Sequence, residues 1–282
     1  MKRSHFVTEP CETGVMNESA VNQQQLLALV ERIASFTVGI AVANNTGIGT
    51  GTLITDGTKR FVLTAEHVIR DANPTTIRFW SKPSASLVDK PAREVSNAEI
   101  KALTAGEFLP IEAVHIDKGL DLALMMLKPG YELLRASRFY DLSCSRTLGD
   151  PSLEGLSLLC FGFPTANARV LGTTLHGGIV NFLGCASHVS DYETDLNSTV
   201  WNRLPSSISP EDNFVLRYNG IGEDIDPHGF SGCGVWIAGA TKGNAIWAPD
   251  LALVGVVHRY VEKLSVLVAT NLAAVLRVID SV

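Results

Sequence analysis

The sequence predicts an all-β protein of two small barrels or sandwiches, with a helix near each end of the chain. Short β-prone runs separated by turn residues fall into two batches, on either side of the polar segment 140–151. Helical periodicity is confined to segments near the two ends. Many short strands with few helices between them are typical of all-β domains, so the pattern indicates this class.

The terminal helices are predicted from their apolar stripes. In segment 19–34 the apolar residues recur at helical spacing, which indicates an amphipathic helix that packs on the body; residues 1–17 before it show no periodicity and are expected to form a loose arm. Near the other end, Thr270 or Asn271 can cap a helix. The apolar residues of that helix follow the i, i+3, i+4, i+7 rule: Leu272, Val275, Leu276 and Ile279.

The strands between these helices are read from β-branched and aromatic runs bounded by turn residues. The first batch is predicted at 37–43, 51–54, 60–65, 76–80, 111–116 and 120–127, with turns at 44–47 and 56–57 and a surface loop at 81–98. The second batch is predicted at 156–163, 170–174, 178–183, 213–218, 233–237, 251–258 and 264–268. We therefore divide the chain into an N-terminal arm and helix (1–35), a first β-domain (36–145) and a second β-domain with the closing helix (146–282).

Composition narrows the classes of partner. The 282 residues are 46% hydrophobic and 18% charged, which fits a compact protein and argues against extensive disorder. A net charge of −6 provides no basic surface for nucleic acid, and no apolar run is long enough to span a membrane. No secretory signal is visible, and the five cysteines are scattered without C-x-x-C pairs. These features predict a cytoplasmic protein with free thiols, without a disulfide framework or a structural zinc site.

The stretch that bears most directly on function is 229–236, Gly-Phe-Ser-Gly-Cys-Gly-Val-Trp. A serine between glycines, followed at once by an apolar run, predicts a tight turn that enters a buried strand. Such a turn exposes the Ser231 hydroxyl and frees backbone N–H groups to face a developing oxyanion, as a serine nucleophile requires.

Two further stretches supply the partners that a serine nucleophile needs. A buried strand ends in Thr64-Ala65 and delivers His67 into the following turn. Asp121 heads the apolar run 122–127, where a buried carboxylate is costly unless a group such as an imidazole N–H binds it. Asp117 is the rival carboxylate, but it lies in a turn with Lys118 and is expected to be solvated.

Together, the stretches 63–68 (Leu-Thr-Ala-Glu-His-Val), 121–124 (Asp-Leu-Ala-Leu) and 229–232 (Gly-Phe-Ser-Gly) resemble the trypsin/chymotrypsin-like serine peptidases. The order His, Asp, Ser is that of this family. The likeness extends over about residues 36–282 and is closest to its bacterial intracellular members. Auxiliary matches occur at 49–54, 160–164 and 253–257.

The resemblance implies a fold and a reaction. The fold would be two six-stranded antiparallel β-barrels of trypsin-like type. In the reaction, Ser231 would attack a peptide carbonyl, His67 would take and return the proton, and Asp121 would orient His67. The N–H groups of Gly229 and Ser231 would form the oxyanion hole. The implied partner is a protein or peptide substrate, with no metal or other cofactor.

The chain departs from the family in several places, and in one of them Cys233 and Gly234 replace the usual Gly-Pro after the serine-glycine pair. Phe230 replaces the aspartate that pairs with a new N-terminus in the secreted members, so activation by that ion pair is not expected. His258, Arg259 and Tyr260 lie beside the cleft, where the usual residue is small, and Arg259 or Tyr260 could narrow it. Ile225 falls near the position that selects the side chain before the scissile bond, which favours no preference for Lys or Arg; the nearby Asp224, Asp226 and His228 leave the specificity open.

Several alternatives stay open. The chain could be a latent or catalytically silent scaffold that binds peptides or awaits an activating partner protein, and the bulky 258–260 stretch motivates that hypothesis. A metal site on His115, Asp117 and Asp121 is less favoured, because a strand and a turn lack the fixed face of a helical ligand pair. Cys233, next to the serine turn, is interpreted as a small buried apolar residue, with a redox-sensitive thiol as the alternative.

Overall fold

A computed structural model describes residues 23–42, 48–81, 109–130, 138–147, 157–163, 169–171, 174–176, 183–188, 200–218, 228–239 and 250–282. Most of these residues lie in antiparallel strands, and few are helical. The prediction of an all-β protein is therefore confirmed. No helix in the described part of the chain has the length and apolar character needed to cross a bilayer.

The first half contains α1 (Gln23–Ser35), β1 (Thr37–Val42), β2 (Ile48–Thr55), β3 (Arg60–Ala65), α2 (Glu66–Ile69), β4 (Ile77–Ser81), β5 (Ile111–Asp117), β6 (Leu122–Leu127) and β7 (Tyr140–Asp141). The second half contains β8 (Ser157–Gly162), β9 (Arg169–Leu171), β10 (Thr174–His176), β11 (Leu183–His188), β12 (Asn213–Arg217), β13 (Gly234–Gly239), β14 (Asp250–Val261), β15 (Val266–Asn271) and α3 (Leu272–Asp280). Single 3-10 turns occur at Pro74–Thr76, Leu142–Cys144, Trp201–Arg203 and Glu262–Leu264.

Most predicted strands are present, with three corrections. The single strand predicted at 170–174 is an antiparallel pair, β9 and β10, in which Leu171 opposes Thr174. Leu264 belongs to a 3-10 turn and not to a strand. The polar segment 140–151 begins with a buried strand residue, Tyr140, because an aromatic ring gains more from packing than from exposure.

Several predictions concern residues outside the described ranges: the arm 1–17, the turn 44–47, all but the first residue of the loop 81–98, and most of the strand 178–183. Both predicted helices, by contrast, lie largely within the described ranges. Helix α1 is present, with Leu29 and Ile33 buried against the body. Helix α3 begins after Asn271, whose side chain accepts a hydrogen bond from the Ala274 N–H (2.9 Å), so the predicted cap is confirmed. The domain boundary at 145/146 stays a prediction.

The two large sheets follow closely related strand orders. The first sheet runs β4-β1-β2-β3-β6-β5, with β7 added parallel to β2, and the second runs β11-β8-β13-β14-β15-β12. If the six main strands of each sheet are numbered in chain order, four of the five pairings are the same: 1–2, 1–4, 3–6 and 5–6. No repeat is visible in the sequence, so the relation between the halves lies in strand pairing alone.

Aromatic side chains join the halves away from the serine turn. Trp236 of β13 stacks on Phe36 with ring centroids 5.7 Å apart, and Tyr140 meets both rings edge-on. The Tyr140 hydroxyl donates to the Leu251 carbonyl (3.3 Å) and accepts from the Leu253 N–H (3.2 Å). All three rings are buried, so they anchor one half against the other.

Candidate active site

Strand register brings His67 and Asp121 together. Strands β3 and β6 are antiparallel, with Ala65 opposite Leu122. The chain therefore leaves β3 beside the point where it enters β6, and the Glu66 N–H donates to the Asp121 carbonyl (3.0 Å). Helix α2 begins at Glu66, so His67 lies in its first turn, directly against Asp121.

The imidazole of His67 binds the carboxylate of Asp121. Its Nδ1 lies 3.0 Å from both carboxylate oxygens, and the His67 backbone N–H donates to Oδ1 at 3.1 Å. Because an ionised carboxylate can only accept hydrogen bonds, Nδ1 must carry the proton. In the neutral ring Nε2 is therefore the unprotonated nitrogen, and the His67 side chain is 39% exposed.

Asp121 is held in its ionised form. Burial by itself would raise the pKa of its carboxyl, but the imidazole and the backbone N–H of His67 act in the opposite direction, and the pKa lies well below its ordinary value. The backbone of Asp121 has φ = +50°, a left-handed conformation that aspartate tolerates better than most residues. Asp117, the rival carboxylate, accepts a hydrogen bond from the Leu120 N–H (3.0 Å) within the same turn.

Glu66 is a second carboxylate beside His67, and Arg70 neutralises it. Glu66 is buried, and the Arg70 guanidinium binds it with Nε at 3.0 and 2.9 Å from its two oxygens. Arg70 lies one helical turn later, where an (i, i+4) partner is within reach. Asp121 is thereby left as the carboxylate that faces the imidazole. This pair was not predicted from the sequence, although its (i, i+4) spacing is a recognisable signal.

The serine turn belongs to the second half but is bound by threonines of β2. The Thr50 hydroxyl donates to the Gly229 carbonyl (2.6 Å), and the Thr52 hydroxyl donates to the Gly232 carbonyl (3.0 Å). The Thr50 N–H donates to the Ser231 carbonyl (2.8 Å). These three bonds fix the backbone on either side of Ser231, although the chain segments are far apart in sequence.

Glycine is required at position 232 by its surroundings. Its φ is +93°, and a Cβ there would lie 1.8 Å from the Thr50 carbonyl oxygen. Gly229 also has a positive φ, of +101°. The described hydrogen bonds of Gly229 and Ser231 use their carbonyl groups, and none uses their N–H groups.

The two sides of the site meet in a cleft of about 500 Å³. The predicted site residues that line it are His67, Asp121, Gly229, Ser231, His258, Arg259 and Tyr260. Ile225 lies outside the described residues. Ser231 and His67 share the cleft, but no hydrogen bond between them is among the described contacts.

Apolar packing supports the serine turn from beneath. Phe230 is buried in the core of the second sheet, where its ring meets Tyr218 at a centroid distance of 6.3 Å. Cys233 is fully buried in the same core as a free thiol, which confirms its interpretation as a small apolar residue. Within the described part of the chain, no three His, Cys, Asp or Glu side chains converge as a metal site would require.

Two polar groups, of which His258 lines the cleft, were not recognised as partners from the sequence. His258 is almost fully buried and binds Asn213 through Nε2, and its Nδ1 approaches Asp121. Asn213 lies at the start of a strand, and nothing in the local pattern distinguishes it.

Comparison with known proteins adds no relative: no family model matches this chain, and no curated protein matches it significantly.

Proposed function

We propose that the protein is a serine endopeptidase that hydrolyses peptide bonds through an acyl-enzyme, with Ser231 as nucleophile and His67 as base. The observation that carries this proposal is the His67–Asp121 pair: an imidazole with Nδ1 bound 3.0 Å from a buried carboxylate, in a cleft that also contains Ser231. A histidine bound in this way by an ionised acid is suited to accept a proton at its other nitrogen.

Strand topology is a second line of support, because it favours the trypsin-like pair of barrels that the motifs imply. Strands 2 and 3 pair in the first sheet but not in the second, and strands 4 and 5 pair in the second sheet but not in the first, among the described strands. If each sheet gained its missing pairing, both would close in one cyclic order, 1-2-3-6-5-4. Six antiparallel strands closed in this way form a small barrel. The closed barrels are part of the proposal.

The proposed chemistry uses groups on both sides of the cleft. The Ser231 Oγ attacks the carbonyl carbon while its proton passes to His67 Nε2. The N–H groups of Gly229 and Ser231, which bind no described acceptor, stabilise the oxyanion; each such donor is worth about 10²–10³ in rate. The C–N bond then breaks as the imidazolium protonates the amine. Water hydrolyses the resulting ester by the same route and regenerates Ser231.

A fluorophosphonate probe tests the nucleophile directly, because it phosphonylates activated serines. We expect mass spectrometry of the labelled wild type to locate the adduct on Ser231. Ser231→Ala should abolish labelling, and Asp121→Asn should slow it by about 10³–10⁴-fold, because the imidazole would lose the acceptor that sets its tautomer.

Ser143→Ala is the matched control, since Ser143 is exposed and lies outside the cleft. This variant should label like the wild type. If the folded wild type stays unlabelled under all conditions, or if Ser231→Ala is still labelled, the peptidase proposal is wrong. If the wild type is labelled on Ser231, a comparison of new peptide ends in extracts treated with wild type or Ser231→Ala would identify its substrates.

The second candidate is a latent scaffold that an activating partner rearranges. The specific observation in its favour is that Ser231 and His67 share the cleft without a described hydrogen bond, although catalytic bonds are often long before substrate binds. Labelling that appears only after cell extract is added would support the latent form. Labelling of the purified protein alone would exclude it.

A further inference from the structure

Asp121 faces a second histidine besides His67. The Nδ1 of His258 lies 3.7 Å from Asp121 Oδ2, the oxygen that His67 Nδ1 also approaches, at 3.0 Å. His258 is only 3% exposed, so water does not surround its ring. The 3.7 Å separation is too long for a hydrogen bond, yet it is close enough for a strong interaction between charges.

Asn213 determines which nitrogen of His258 carries a proton. The amide nitrogen of Asn213 donates to the Ser209 carbonyl (2.9 Å), and this bond orients the side-chain oxygen towards His258. That oxygen can only accept, and it lies 2.9 Å from His258 Nε2, so Nε2 must be the donor. In the neutral ring Nδ1 is therefore the unprotonated nitrogen.

This tautomer is unfavourable beside Asp121. Neutral His258 directs a lone pair at a carboxylate, and its buried Nδ1 has no hydrogen-bond partner. A proton on Nδ1 would turn the repulsion into attraction, because the imidazolium could donate towards Oδ2. Among the described residues, the other charged groups near this point are His67 on α2, Arg70 at the end of α2, and Arg259 on the same strand, whose guanidinium is 4.0 Å from Oδ2. Asp212, next to Asn213, is paired with Arg277 of α3.

We propose that His258 is a positioning residue that controls Asp121 through its own protonation. Neutral His258 leaves the carboxylate to His67, whereas protonated His258 competes for Oδ2 and opposes the charge that His67 must acquire in the reaction. Acid would then inactivate the site by two protons, one on His67 and one on His258. This inference rests on the proposed peptidase function.

The pH dependence of fluorophosphonate labelling tests the proposal. At the acid end, the labelling rate of the wild type should fall about 100-fold per pH unit, because two protons must be absent, and that of His258→Gln about tenfold. His115→Gln is the control: it removes a histidine outside the cleft and should retain the steep wild-type limb. Equal slopes for wild type and His258→Gln would overturn the proposal, as would a shallow slope in the His115→Gln control.

Nuclear magnetic resonance of the imidazole nitrogens separates this inference from the peptidase proposal, because it needs no activity. In the unlabelled wild type, the His258 ring should show the Nε2–H tautomer near about pH 8 and gain a proton on Nδ1 on acidification towards about pH 4. In Asn213→Leu the His258 proton should no longer be confined to Nε2, while the fold, checked by circular dichroism, is retained. A His258 ring that carries its single proton on Nδ1, or that stays neutral throughout, would overturn the proposal even if Ser231 is labelled.

Discussion

The two sides of the cleft are built by different kinds of interaction. The first half supplies side chains that hold one another: His67 binds Asp121, and Arg70 binds Glu66. The second half supplies a backbone turn around Ser231, whose carbonyls accept hydrogen bonds from the first half. One side is thus fixed by charge and the other by peptide geometry.

This difference indicates how each side should respond to change. A side-chain pair depends on ionisation, so the Asp121 side should be sensitive to pH. Because the pKa of Asp121 lies below its ordinary value, the stability that it contributes is present above about pH 4 and is lost as the pH falls below that. The serine turn depends on glycines and on buried hydroxyls that donate to its carbonyls, so it should be sensitive to added volume and to the loss of hydrogen-bond donors.

The largest expected effect comes from adding a methyl group to the turn. Gly232→Ala should lower the free energy of unfolding by about 3–5 kcal/mol, from a left-handed backbone and a collision with the Thr50 carbonyl. Gly57→Ala is a matched control, since Gly57 has φ = +92° with nothing within 4 Å of the added methyl, and it should cost about 1–2 kcal/mol. Urea denaturation measures both; equal losses would mean that the turn is not tightly enclosed.

A smaller effect is expected from the hydroxyl that joins the two sides. The Thr50 Oγ1 donates to the Gly229 carbonyl and accepts from the Phe163 N–H (3.0 Å), so Thr50→Val removes one hydrogen bond from each of two buried groups. We expect a loss of about 2–4 kcal/mol, against about 1–2 kcal/mol for Thr52→Val, which leaves only the Gly232 carbonyl unpaired. Thermal denaturation of the two variants gives the comparison, and a larger loss for Thr52→Val would contradict the arrangement.

The smallest of the three main effects, below those of Gly232→Ala and Thr50→Val, concerns the contact between the halves away from the cleft. Burial raises the pKa of Tyr140 to about 12, although its bond from the Leu253 N–H acts in the opposite direction. Since an unfolded tyrosine titrates near about 10, the stability from this group is complete below pH 10 and lost as the pH rises to about 12, by about 2–3 kcal/mol. Urea midpoints at about pH 9 and about pH 11 should diverge less in Tyr140→Phe than in the wild type. Identical pH dependence in both proteins would contradict this assignment.

Local chemistry made much of this molecule predictable. Helix α3 and its Asn271 cap follow from an apolar stripe and a side chain that reaches one turn ahead. The strand that ends before His67 and the apolar run after Asp121 are likewise visible as short patterns. Each depends on neighbours within a few residues, so the sequence alone contains the information.

Only the tertiary structure decided which distant groups meet. Register between β3 and β6 brings Asp121, and not Asp117, against His67; packing of the halves brings the Thr50 hydroxyl to the serine turn and His258 to the same carboxylate. No short sequence pattern contains these contacts, because they depend on the lengths of the segments that connect the paired strands. A register shift of one residue in either strand would turn its side chains to the opposite face of the sheet and separate the groups of the site.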